Sequence, residues 1–109
     1  MSISEQRAEQ ALRYLAETDA ECARLESYFN GLDRMKSPVR SEAFNASLKN
    51  SNGERDHESY ASMSYKNHLA AMALAEEDYL KVKLKRETEK LIWEHWRSVN
   101  KNKREGVVV

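Results

Sequence analysis

From Ser64 to about Asn102 the chain carries neither glycine nor proline, and this run predicts one uninterrupted helix of close to forty residues. At 1.5 Å per residue such a helix spans roughly 55–60 Å, about twice the diameter of a small domain. A chain of 109 residues that commits over a third of its length to one rod has too little left to wrap a globule around it. Its partner must therefore be a second long helix, from the same chain or from another. The expected fold is all-α: a long antiparallel helical hairpin, coiled-coil-like, assembling into a dimeric or higher bundle.

Composition supports this reading. Three glycines and one proline leave few turn signals, which argues against sandwiches and barrels. With 33% charged and 8% aromatic residues there is little material for a thick core, so stability is expected to lean on self-association. One cysteine, Cys22, excludes an intrachain disulfide, and MSISEQRAEQ has no export signal. The expected location is cytoplasmic. No run of about eighteen apolar residues is present to cross a membrane, and the Asn45-Ala46-Ser47 sequon is without consequence in a protein that is not secreted.

The first helix has a visible repeat. Ser4 is placed to cap it, and Ala8, Ala11, Leu15, Thr18, Cys22, Leu25, Phe29 and Leu32 then recur at heptad spacing, flanked by Leu12, Ala16, Ala23 and Tyr28. Gly31 weakens the pattern, and Pro38 lacks the N–H that a helix interior uses. The first arm is therefore expected over about residues 4–49 with a kink near Pro38, carrying Val39, Ala43, Phe44 and Leu48 on one face. Asn50-Ser51-Asn52-Gly53 is the strongest turn signal, placing the hairpin turn at 50–54. A short helical turn over Glu54–Tyr60 and a cap from Ser62 or Ser64 lead into the second arm, about 55–104. Its apolar face is read as Tyr65, Leu69, Met72, Ala73, Tyr79, Leu80, Leu84, Leu91, Ile92, Trp96 and Val99, with Val82 and Trp93 off that face. Gly106 is expected to end the helix and residues 105–109 to fray. The whole chain is taken as a single elongated domain.

Few residues suggest chemistry. Glu54-Arg55-Asp56-His57 has the Glu-x-x-His spacing of di-iron bundles, but those sites need two such motifs and two further glutamates; a solvated helix start is the plainer reading, and no metal or cofactor is expected. His68 and His95 are too far apart to share a ligand and read as packing residues. Cys22 falls within the apolar repeat, where a small buried thiol is the usual occupant. Glu76-Glu77-Asp78 reads as a solvated face, with one member available for a cation across the hairpin. No group of residues is arranged for proton transfer or covalent catalysis, so an enzyme acting on a small-molecule substrate is not expected.

Charge is uneven although the net is zero. Residues 1–35 balance to −3, residues 36–80 to −2 and residues 81–109 to +5. The basic end holds Lys81, Lys83, Lys85, Arg86, Lys90, Arg97, Lys101, Lys103 and Arg104, interleaved with Trp93 and Trp96. Cations meet phosphates and aromatic faces stack on unpaired bases, so Lys90, Arg97, Lys101, Lys103 and Arg104 are the candidate nucleic-acid contacts. Against this, Lys81, Lys83 and Lys85 do not share a helix face, Glu87, Glu89 and Glu94 dilute the field through intrahelical pairs such as Glu87 with Lys90, and tryptophans at this spacing are more often core anchors than stacking platforms. The expected packing or oligomer interface is Leu15, Cys22, Leu25, Phe29, Leu69, Met72, Leu80, Leu84, Leu91 and Trp96.

Two segments, ERDHESYASMSYKNHL and YLKVKLKRETEKLIWEHWRSVNKNKREG, resemble a family of short, uncharacterised helical proteins of tailed phages and prophages, encoded near recombination and single-strand-binding genes. The similarity runs from Glu54 to Gly106 and is most specific at Trp96-Arg97-Ser98-Val99-Asn100, followed by Asn102 and Arg104. Lys101, Lys103 and Pro38 depart from the family pattern. The resemblance implies a non-enzymatic phage accessory protein of DNA recombination or replication, working through oligomerisation and protein contacts, with single-stranded DNA as a candidate partner. The alternative is a structural or adaptor protein that binds a phage or host protein and touches no nucleic acid.

Overall fold

The computed structural model describes residues 2–104 and Gly106. These residues form three helices in the order α1 (Glu5–Ala46), α2 (Asn52–Ala61) and α3 (Met63–Arg104), with no strand among the described residues. Packing divides the chain into two compact units, one of Met1–Ala23 with Leu80–Val109 and the other of Arg24–Tyr79. Within each unit α1 and α3 run antiparallel, as a hairpin requires. In the first, Arg7 meets Glu89 while Leu15 meets Arg86; in the second, Glu26 meets Tyr79 while Leu32 meets His68.

α1 begins where Ser4 Oγ accepts the Arg7 N–H at 3.0 Å, satisfying one of the orphan donors of the first turn. The heptad positions from Ala8 to Leu32 are all buried or half-buried. Ala8 and Ala11 have no exposed surface in the first unit; any larger side chain there would have to be accommodated by moving its neighbours. In the second unit Ala75 of α3 plays the same part, beside the stacked rings of Phe29 and Tyr79, whose centroids are 6.5 Å apart.

α1 continues as one helix through Pro38 to Ala46. Proline removes a helical donor at a cost of about 3 kcal/mol in a helix interior. The flanking segment is held by packing that offsets it: Val39, Ala43 and Phe44 are half-buried, and Arg40 reaches α2, where its guanidinium bonds Asp56 at 2.6 Å and covers the Tyr60 ring at 4.6 Å. The arm stops at Ala46 rather than 49, and Leu48, expected on the Val39 face, is 95% exposed.

The connection also differs from expectation. The non-helical residues are 47–51, and Asn52 and Gly53 already belong to α2. Ser51, in extended backbone, accepts the Glu54 N–H at 3.1 Å and caps α2; this N-cap competes successfully with a turn centred on Asn52-Gly53. Buried Ser47 organises the bend, donating to Glu58 Oε2 at 3.0 Å and accepting the Lys49 N–H at 3.2 Å.

The second arm is two helices, because Ser62 interrupts it. Its N–H and hydroxyl both donate to Ser59 O, closing α2, while its Oγ accepts the Tyr65 N–H at 3.3 Å, opening α3. α3 then shows a repeat of its own: Tyr65, His68, Met72, Ala75 and Tyr79 are buried or half-buried in the second unit, and Val82, Arg86, Glu89, Trp93 and Trp96 in the first. Val82 and Trp93 are thus on the pairing face, whereas Leu69, Leu80, Leu84 and Leu91 are exposed. α3 ends at Arg104, and Gly106, with φ +77, takes the left-handed conformation that favours glycine after a helix. The frayed ending expected at 105–109 otherwise lies outside the described residues.

Two stability changes follow. Ala11→Leu should destabilise the protein by about 1–3 kcal/mol through overpacking, read as a lower urea midpoint. Pro38→Ala, which restores the missing donor, should stabilise it by up to about 3 kcal/mol in the same assay.

Candidate nucleic-acid interface

The basic end of α3 is built on the first unit, and its cations fall into two groups according to whether the seam with α1 uses them. Arg86 belongs to the seam. Its Nη1 donates to Leu15 O and Thr18 Oγ1, each at 2.7 Å, and its Nη2 to Asp19 at 3.1 Å. Thr18 Oγ1 in turn donates to Tyr14 O at 2.7 Å, so the hydroxyl is both donor and acceptor within one network. Lys85 is drawn over the Tyr14 ring, with Nζ 4.5 Å from its centroid. Lys81 and Lys83 each have an interaction partner already.

Glu89, 7% exposed, is the most buried charged group of the unit. Both of its oxygens accept from the Arg7 guanidinium, at 2.7 Å each, in a fork-to-fork pair. The Arg7 hydrogen bonds hold the Glu89 carboxyl below its ordinary range against the opposing effect of desolvation, with the charges of Arg7 and Lys85 adding to the depression. The same bonds raise the Arg7 guanidinium.

Trp93 and Trp96 are half-buried on the pairing face and stack on each other, centroids 5.6 Å apart and planes 28° apart. One face of each indole is therefore committed to the other, which reduces their use as platforms for bases. The remaining cations, Lys90, Arg97, Lys101, Lys103 and Arg104, are all exposed, and no ion pair engages them among the described residues. The expected Glu87–Lys90 pair is not formed. At 3.6 residues per turn, Lys90, Arg97, Lys101 and Arg104 fall within a sector of about 60°, while Lys103 projects about 130° away from it. The structure thus brings four of the five candidate contacts into one row and leaves the fifth apart.

The other predicted positions divide likewise. Leu15, Cys22, Leu25, Phe29, Met72 and Trp96 are half-buried on the faces that pair α1 with α3. Leu69, Leu80, Leu84 and Leu91 point outward. His68 is half-buried with Nε2 at 2.6 Å from Leu32 O, to which it donates, but His95 is exposed rather than packed. Glu76, Glu77 and Asp78 are exposed, and Glu77 has a partner. Glu54 and His57 line an open groove of about 690 Å³ with Lys49, Gly53, Glu58 and Ala61; among the described residues no three metal-ligating side chains converge. No helix among them is long and apolar enough to cross a membrane.

The Arg7–Glu89 pair and the Arg86 network lie at positions that a search for apolar residues passes over. The signal that finds them is the heptad counted from Tyr65, which puts Arg86 and Glu89 on the face that meets α1 once polar residues are allowed at seam positions. Because the folded Glu89 carboxyl is depressed, its contribution is fully present above its unfolded pKa of about 4.3 and is lost as pH falls through the lower folded value. Glu89→Gln should therefore melt at a lower temperature than the parent at pH 7, and the gap should close as pH falls below about 4, followed by circular dichroism.

Compared with protein-family models, curated protein sequences and solved structures, the chain finds no match.

Proposed function

We propose that this chain is a non-enzymatic accessory protein of phage DNA recombination or replication, working in the host cytoplasm by helix association, first with a second copy of itself, and presenting its basic end to single-stranded DNA. The observation that carries the reading is the outward row of leucines on α3 in the first unit. Leu80, Leu84 and Leu91 are 37%, 57% and 66% exposed and fall within a sector of about 40°. Covering such side chains is worth about 1.5–3 kcal/mol each when burial is complete, and an aligned row of leucines is the pattern by which a helix recognises another helix. The net charge of zero supports a second copy as the occupant, since two copies meet without the self-repulsion that keeps highly charged chains apart.

The leucine row and the basic row are about 110° apart around α3, so association leaves the cations facing solvent. The groups that elsewhere perform chemistry have structural employment here: Glu89 holds Arg7, His68 holds Leu32, and Cys22 packs in the repeat. The resemblance of Glu54–Gly106 to phage proteins supports the setting. The mutual stacking of Trp93 and Trp96 favours the second reading, an adaptor that binds a phage or host protein with no nucleic-acid contact.

Light scattering across a concentration series tests the association. The parent should form a dimer or larger assembly, and Leu84→Glu with Leu91→Glu should shift it to monomer while helicity by circular dichroism is kept. A parent that stays monomeric at all concentrations overturns the reading.

A further inference from the structure

We propose that the row Lys90, Arg97, Lys101 and Arg104 tracks the sugar–phosphate backbone of one DNA strand and so binds single-stranded DNA in preference to duplex, without reading its bases. The inference rests on the DNA-contact part of the function proposed above and gives that contact a geometry.

Three features carry it. The four side chains are exposed, without ion-pair partners among the described residues, and spaced 7, 4 and 3 residues apart, so they line about 21 Å of helix. That length accommodates roughly six nucleotides at stacked spacing and fewer when the strand is extended. Beside Lys90 and Arg97 the exposed carboxylates Glu87 and Glu94 separate the row from the leucines; on the other side of Lys90 lies Glu89, which Arg7 of α1 engages. One polyanion fits along the row, and the second phosphate strand of a duplex would be brought toward the carboxylates. Finally, Trp93 and Trp96 stack on each other at 5.6 Å, which takes up one face of each indole and leaves the exposed cations as the main contacts, and contact through phosphates is tolerant of sequence.

The test is fluorescence anisotropy with labelled oligodeoxythymidine, oligodeoxycytidine and a duplex, each about 15 units long, over a salt series, with light scattering on the same samples. Four phosphate contacts to a single strand predict a log–log salt slope of about −3. Lys101→Gln should flatten the slope by about 0.7 and weaken binding several-fold, while Lys103→Gln, off the row, should leave both unchanged. Arg97→Gln serves as a second on-row variant, and circular dichroism checks that each is folded. The two homopolymers should bind alike and the duplex more weakly. Equal loss from Lys101→Gln and Lys103→Gln overturns the row, and a duplex bound as tightly as a single strand overturns the preference. Absence of binding at low salt by an intact assembly overturns the inference and leaves the association reading standing; a monomeric parent that still binds overturns association and leaves the row.

Discussion

Two helices in contact share a single row of buried side chains, and everything that specifies how they pair must be written in it. In the first unit that row is narrow, since Ala8 and Ala11 have no exposed surface. Close approach excludes water from whatever lies beside them. A carboxylate at Glu89 would be costly in such a place without a partner, and Arg7 supplies one with two bonds at 2.7 Å. The guanidinium of Arg86 similarly finds a carbonyl, a hydroxyl and a carboxylate along α1. These groups add direction to a contact that alanines alone would allow to slide, because each bond set is satisfied in one register.

The same narrowness explains why so many large apolar residues stay outside. A seam that accepts His68, Ala75, Arg86 and Glu89 has no positions for Leu69, Leu80, Leu84 and Leu91. In the first unit Leu80, Leu84 and Leu91 therefore form a second face, one that the pairing of α1 with α3 leaves uncovered. The cations show a parallel division of labour: Arg86 and Lys85 are spent on α1, whereas the row from Lys90 to Arg104 remains available.

Helix content and the α1 repeat were legible because α1 places apolar or small residues at every heptad position but Thr18, and because Ser4 is a conventional cap. α3 was misphased for a physical reason. Following leucines selects the exposed face, since the pairing face carries two charged residues and a histidine whose partners are on α1 and cannot be recognised without it. The connection was misplaced because Asn-Gly signals a turn only when no stronger use is made of the backbone, and Ser51 makes one by capping α2. Of the candidate basic residues, the type and region were evident from composition alone; which of them share a side required only helical geometry, and that Arg86 is committed required its acceptors on α1.

Ser62 closes α2 with its N–H and hydroxyl and opens α3 with the same hydroxyl and its carbonyl. Such a junction has no slack. An insertion in the segment 47–51 can be absorbed as a longer loop, but one extra residue at Ser62 would have to be taken into one helix or the other, turning α2 by about 100° relative to the start of α3. Arg40, Asp56 and Tyr60 would then lose their mutual facing. Length variation among descendants of this chain is accordingly to be sought before Ser51, with Ser62 retained as a fixed joint.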